Sequence, residues 1–91
     1  MQDKGRRAAD PAAEDRRDEG AVLRHVVDTH PATLRLSDLI RELSDSDAFG
    51  ARDRIERAVR ELVKGGLLFR CEGVVLPTRQ TLYLWDVLEL A

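Results

Sequence analysis

The side chains best equipped for chemistry in this chain are basic, and they gather in one stretch, "RDRIERAVRELVKGGLLFR", Arg52 to Arg70. Between Gly50 and Arg79 stand seven basic residues, Arg52, Arg54, Arg57, Arg60, Lys64, Arg70 and Arg79, against four acidic ones, Asp53, Glu56, Glu61 and Glu72. The whole chain carries a net charge of −2, so positive charge is concentrated here and the remainder is acidic. The planar guanidinium of arginine offers parallel N–H donors to a carboxylate, a phosphate or paired acceptors on a base edge. Recognition of an anionic surface is the chemistry on offer. Acids interleave with the bases, however: Asp53 and Arg57, Glu56 and Arg60, and Arg57 and Glu61 are each four residues apart. Such pairs stabilise an exposed helix by a few tenths of a kcal/mol each, so the same row also reads as a solvated helix face that needs no ligand.

The remaining reactive side chains are sparse. Cys71 is the only cysteine, which excludes an internal disulfide and a cysteine-cluster zinc site and fits a reducing, cytoplasmic compartment. The two histidines, His25 and His30, have no partners at metal-ligand spacing, and no histidine stands near Cys71 to activate it. No metal, cofactor or catalytic residue is expected. The chain lacks an apolar run of the ~18 residues a membrane span requires, and its opening, "MQDKGRRAADPAAEDRRDEG", lacks the apolar segment of a secretory signal.

What positions the basic row is a set of short elements. Residues Met1 to Asp18 contain no valine, leucine, isoleucine or aromatic residue and read as a disordered charged tail, leaving residues 19–91 as one small domain. From Glu19, capped by Asp18, Val22, Leu23, Val26 and Val27 recur at helical spacing until His30-Pro31 stops the helix. "TLRL", Thr33 to Leu36, alternates like a very short strand, and Ser37 then caps a second helix, Asp38 to Leu43. Phe49 anchors the polar loop "SDSDAFGA". The third helix runs from Ala51 to Lys64: with Ile55 as reference, Ala58, Val59, Leu62 and Val63 fall within about 80° on the helical wheel, and Asp53, Arg57, Arg60 and Lys64 lie opposite. Gly65-Gly66 ends it. "LLFRC" and "VVLP" flank Glu72-Gly73 as a β-hairpin, Pro77 closes the hairpin, and Thr78 caps a last helix, Arg79 to Leu90.

The resulting class is mainly α with a small β-hairpin wing, an α+β layout, and the order of elements resembles a winged helix-turn-helix domain. "IERAVRELVKGGLLFR" is similar to the third helix and first wing strand of that superfamily, with its Leu-x-x-x-Gly-Leu step at Leu62, Gly66 and Leu67. "VVLPTR", Val74 to Arg79, resembles short winged-helix proteins of GC-rich bacteria, and thirteen arginines against two lysines agree with a GC-rich coding genome. The resemblance implies a small transcriptional regulator whose third helix enters the major groove of double-stranded DNA. Arg54 and Arg57 would then face base edges, and Arg52, Arg60, Lys64, Arg70 and Arg79 would sit on or near phosphates. Winged helices serve protein binding too, so the alternative implied is an interaction module that meets a protein partner with the same charged face.

The last helix carries more apolar side chains than one small domain can cover. Leu82, Tyr83, Leu84, Trp85, Val87, Leu88 and Leu90 leave only Arg79, Asp86 and Glu89 as a polar edge, with Leu82 lying on it. Aromatic and leucine anchors of this kind dominate interfaces, so a homodimer joined through Leu82, Tyr83, Trp85 and Leu88 is expected. A two-fold pairing there would set two third helices about 34 Å apart, one turn of DNA.

Overall fold

The computed structural model describes residues 11–44 and 50–90, which form four helices and a two-stranded antiparallel hairpin. Phe49, the expected loop anchor, lies outside the described residues, as do the first ten. Helix α1 spans Pro11–Thr29, α2 Leu36–Leu43 and α3 Ala51–Lys64; strands β1, Leu68–Cys71, and β2, Val74–Pro77, follow, and α4 is Arg79–Leu90.

The first helix starts well before Glu19, and this corrects the expected tail. Proline suits the first helical position because its missing N–H would be unpaired there anyway, and Pro11 is followed by the good helix formers Ala, Glu and Arg. Asp18 is therefore inside α1 and caps nothing. Only the second half of α1 carries an apolar stripe, and there Val22 and Val26 are fully buried. The helix stops at Thr29, ahead of His30-Pro31, as the pre-proline restriction requires.

"TLRL" contributes less strand than expected. It makes one bridge, Arg35 to Val74, in which the Leu36 N–H donates to the Gly73 carbonyl at 2.8 Å and the Val75 N–H to the Leu34 carbonyl at 2.9 Å. The chain enters α2 at Leu36, so the N-cap is Arg35 rather than Ser37, and no side chain caps this helix. The buried faces of the three helices then meet the hairpin: Val22, Val26, Leu34, Leu39, Ile40, Ile55, Ala58, Val59, Leu62, Leu68 and Val75 form one core. The most extensive helix packing is between α1 and α3.

The Leu62, Gly66, Leu67 step has a backbone explanation. Gly66 takes φ +82° and its N–H donates to the Val63 carbonyl, while the Leu67 N–H reaches back to the carbonyl of Leu62 at 3.0 Å. This is a Schellman ending, which satisfies the last helical carbonyls and turns the chain directly into β1. At the hairpin tip Glu72 and Gly73 both have positive φ, 52° and 80°, the requirement of a two-residue type I′ turn. No bulge intervenes, and Cys71 pairs with Val74 across the turn.

Thr78 ties the last helix to that junction. Its Oγ1 accepts the Thr81 N–H at 3.3 Å as an N-cap and donates to the Gly66 carbonyl at 2.9 Å; the Thr81 hydroxyl donates to the Leu67 carbonyl at 2.7 Å. Thr81 is the only buried residue among the described side chains of α4. The helix is pinned at its first turn, and beyond it Trp85 is half-buried while Tyr83, Leu84, Val87 and Leu88 are exposed.

Candidate functional site

Two surfaces compete for a functional role: the outward face of α3 and the free face of α4. On α3 all five cations expected to contact a ligand, Arg52, Arg54, Arg57, Arg60 and Lys64, are exposed, over an arc of about 200° around the helix. Four of them are already engaged. Arg54 grips Asp18 of α1 with two hydrogen bonds, 2.8 and 3.2 Å, and Arg57 lies 3.5 Å from Asp15 one turn earlier on the same helix. Arg52 bonds Glu56 at 3.2 Å, and Lys64 lies 3.6 Å from Glu61. Neutralisation within the chain was expected, but of Arg57 by its helical neighbours Asp53 and Glu61; the acidic start of α1 supplies the counter-charge instead.

The Arg54 pair is the tightest of these. The side chain of Asp18 is only 13% exposed, against 60% for Arg54, so this carboxylate is wedged between two packed helices and aimed at α3. Hydrogen bonding to Asp18, and then its negative charge, raise the guanidinium above its ordinary value, with Glu14 adding a further favourable charge. Arg54, assigned to base edges by the resemblance, thus forms a bridge between helices.

Arg60, Arg70 and Arg79 have no ion-pair partner among the described residues; they lie on α3, in β1 and at the start of α4. Arg35 and Arg52 do come together, beside the uncapped start of α2, at a cleft of about 400 Å³ that Ser37 and Glu72 also line. Glu72 makes the cleft mixed in charge.

The α4 surface is of the opposite kind. Tyr83 and Leu88 are 67% and 68% exposed, and Leu84 and Val87, which were not singled out beforehand, are 51% and 43% exposed. Leu82 and Trp85, expected in the same interface, are half-buried and turn partly toward the body. The exposed four recur at i, i+1, i+4 and i+5, one continuous helical stripe. Where this stripe approaches the body it borders a groove of about 500 Å³ lined by Leu67, Arg79, Gln80, Tyr83 and Leu84.

The histidines and the cysteine stay apart. His25 is half-buried, and its Nε2 bonds Glu42 Oε1 between α1 and α2. His30 and Cys71 are exposed, and no group of three metal-ligating side chains occurs among the described residues. Among the described residues no helix is long and apolar enough to cross a membrane. No protein-family model, curated protein or solved structure matches the chain.

Proposed function

We propose that this chain is a winged-helix-like protein–protein assembly module that docks through α4 and has no catalytic or cofactor-dependent activity. The observation that carries the reading is the stripe of Tyr83, Leu84, Val87 and Leu88, four large apolar side chains left in water on a helix in which Thr81 is the only buried residue among the described side chains. Each such side chain gains about 1.5–3 kcal/mol on burial, and neither ion pairing nor hydration compensates an exposed one. The order of three helices, hairpin and terminal helix, with a bridge from the α1–α2 connection to the hairpin, supports the winged-helix description. An exposed thiol at Cys71 suits a reducing compartment, and the cytoplasm is the location we assign.

Duplex DNA binding by α3, as part of a small transcriptional regulator, is the second reading. It is favoured by the row of exposed cations and by Arg35 and Arg52 beside the uncapped α2. In that reading Arg54 and Arg57 exchange Asp18 and Asp15 for phosphates, and the exposed Arg57 pair is worth at most about 1 kcal/mol. The carboxylates stay beside the duplex after the exchange, and this is why we place it second. Fluorescence anisotropy with a random-sequence duplex at low salt separates the two. The assembly reading expects no binding at micromolar protein. Binding that falls steeply with salt, by ~0.9 log units per phosphate contacted and decade of salt, transfers the function to α3.

A further inference from the structure

We propose that the partner of α4 is α4 of a second copy of this chain, packed antiparallel about Leu84, so that Val87 and Leu88 of each copy fill the groove beside Leu67, Tyr83 and Leu84 of the other. The proposal rests on α4 being the docking surface and names what docks there.

Three observations lead to it. The first is self-complementarity. The groove of about 500 Å³ borders the first half of α4, and the most exposed apolar side chain, Leu88, projects from the second half on the same stripe. At 1.5 Å per residue, an antiparallel pair centred on Leu84 sets Leu88 of one copy level with Gln80 of the other, about 6 Å from the centre, and Gln80 lines the groove. A knob and a hole on one surface, related by a two-fold axis, make an isologous interface.

The second is charge. Arg79 and Asp86 are exposed and have no ion-pair partner among the described residues. Seven residues apart, they lie within about 20° of each other around the helix, just beyond the Tyr83 edge of the stripe. With Leu84 facing the partner they lie about 140° and 160° around the helix from the contact, so the pairing buries neither charge.

The third is room. The start of α4 is tied to Gly66 and Leu67 by Thr78 and Thr81, so parallel helices would drive two bodies into one space at that end, whereas antiparallel helices set them at opposite ends. The first ten residues cannot serve as the cover, because Met1 is their only large apolar side chain.

Sedimentation equilibrium at micromolar concentration, together with cysteine cross-linking, tests this. The intact chain should be a dimer, and Leu84→Glu and Leu88→Glu, at exposed positions that leave the helical circular dichroism unchanged, should weaken it by about 100-fold or more, since each removes two buried leucines per dimer. In a Cys71→Ser background, an oxidised mixture of Gln80→Cys and Leu88→Cys chains should yield the mixed disulfide, and neither alone should cross-link. A monomeric intact chain, a Leu88→Cys homodisulfide, or a dimer with no mixed disulfide overturns the antiparallel pairing and leaves α4 to another chain or another geometry. A dimer that persists in both glutamate variants overturns the pairing and, with it, α4 as the docking surface.

Discussion

The α3 and α4 faces differ in how the rest of the molecule treats them. Charge on α3 is answered from within: Asp18 and Asp15 reach across from α1, and Glu56 and Glu61 reach along the helix. The apolar stripe of α4, Tyr83, Leu84, Val87 and Leu88, is left 43–68% exposed. An arginine in water is stable with or without its carboxylate, whereas a leucine in water is unfavourable until something covers it. A charged row is thus weak evidence for a ligand, and an uncovered apolar stripe is stronger evidence for a partner.

The anchoring of α4 is where this comparison breaks with the largest effect on stability. Thr78→Ala removes the N-cap and the bond to the Gly66 carbonyl, and Thr81→Val removes a buried hydroxyl from the Leu67 carbonyl. Each should lower unfolding free energy by about 1–2 kcal/mol, read as a lower urea midpoint. Because the docking helix hangs from these bonds, the dimer should weaken as well. If both variants lose stability and self-association is untouched, α4 is not the surface that associates.

These bonds also mark what the sequence makes legible. The span of α3 is readable because an apolar stripe fills it and Gly65-Gly66 punctuates its end, and the hairpin and the Thr78 cap are readable because turn and cap chemistry is local. The first half of α1 is hidden for the converse reason. It has no apolar stripe, and its contact with the domain is a pair of carboxylates whose partners lie far along the chain, 36 residues away for Asp18 and Arg54. Spacing within one helix cannot display such a pair. The sequence names Leu84 and Val87 in the apolar girdle but does not assign them to the interface, on similar grounds: a helix that is apolar nearly all round does not say which side the body covers, and the packed structure leaves Leu82 and Trp85 half-buried instead.

Removing the internal counter-charge sharpens the comparison from the α3 side. In Asp15→Asn/Asp18→Asn the row of cations loses the acids that α1 supplies, and the face becomes more positive by two charges. Anisotropy with a random duplex should then show weak, salt-sensitive binding that the parent chain lacks. The stability cost should be at most about 1 kcal/mol for the exposed Asp15 pair and larger for Asp18, whose side chain is 13% exposed. Binding as weak as the parent's would mean that α3 lacks the shape to meet a duplex, whatever its charge. The arginine side of the Arg54 pair should add no pH dependence in the neutral range. Its pKa is raised, so the stability it contributes is fully present below the ordinary arginine value and is lost only as pH rises through the higher folded value.

The smallest effect is expected at the hairpin tip, where the two surfaces can be perturbed independently. Glu72 holds φ +52°, a left-handed conformation that costs most side chains about 1 kcal/mol and that asparagine adopts readily. Glu72 also lines the cleft with Arg35 and Arg52, and no residue of α4 lines it. Glu72→Asn should therefore raise unfolding free energy by about 0.5–1 kcal/mol, because Asn-Gly is the favoured pair for a type I′ turn. Removing a negative charge from the α3 side should also slightly favour any anion that meets this cleft. Self-association should not change, since no bond from Glu72 reaches α4. Urea unfolding and sedimentation on one sample read the two effects together. A gain in stability with an unaltered dimer keeps the faces separate, whereas a shift in the dimer constant would show that the hairpin, and not α4 alone, forms part of the interface.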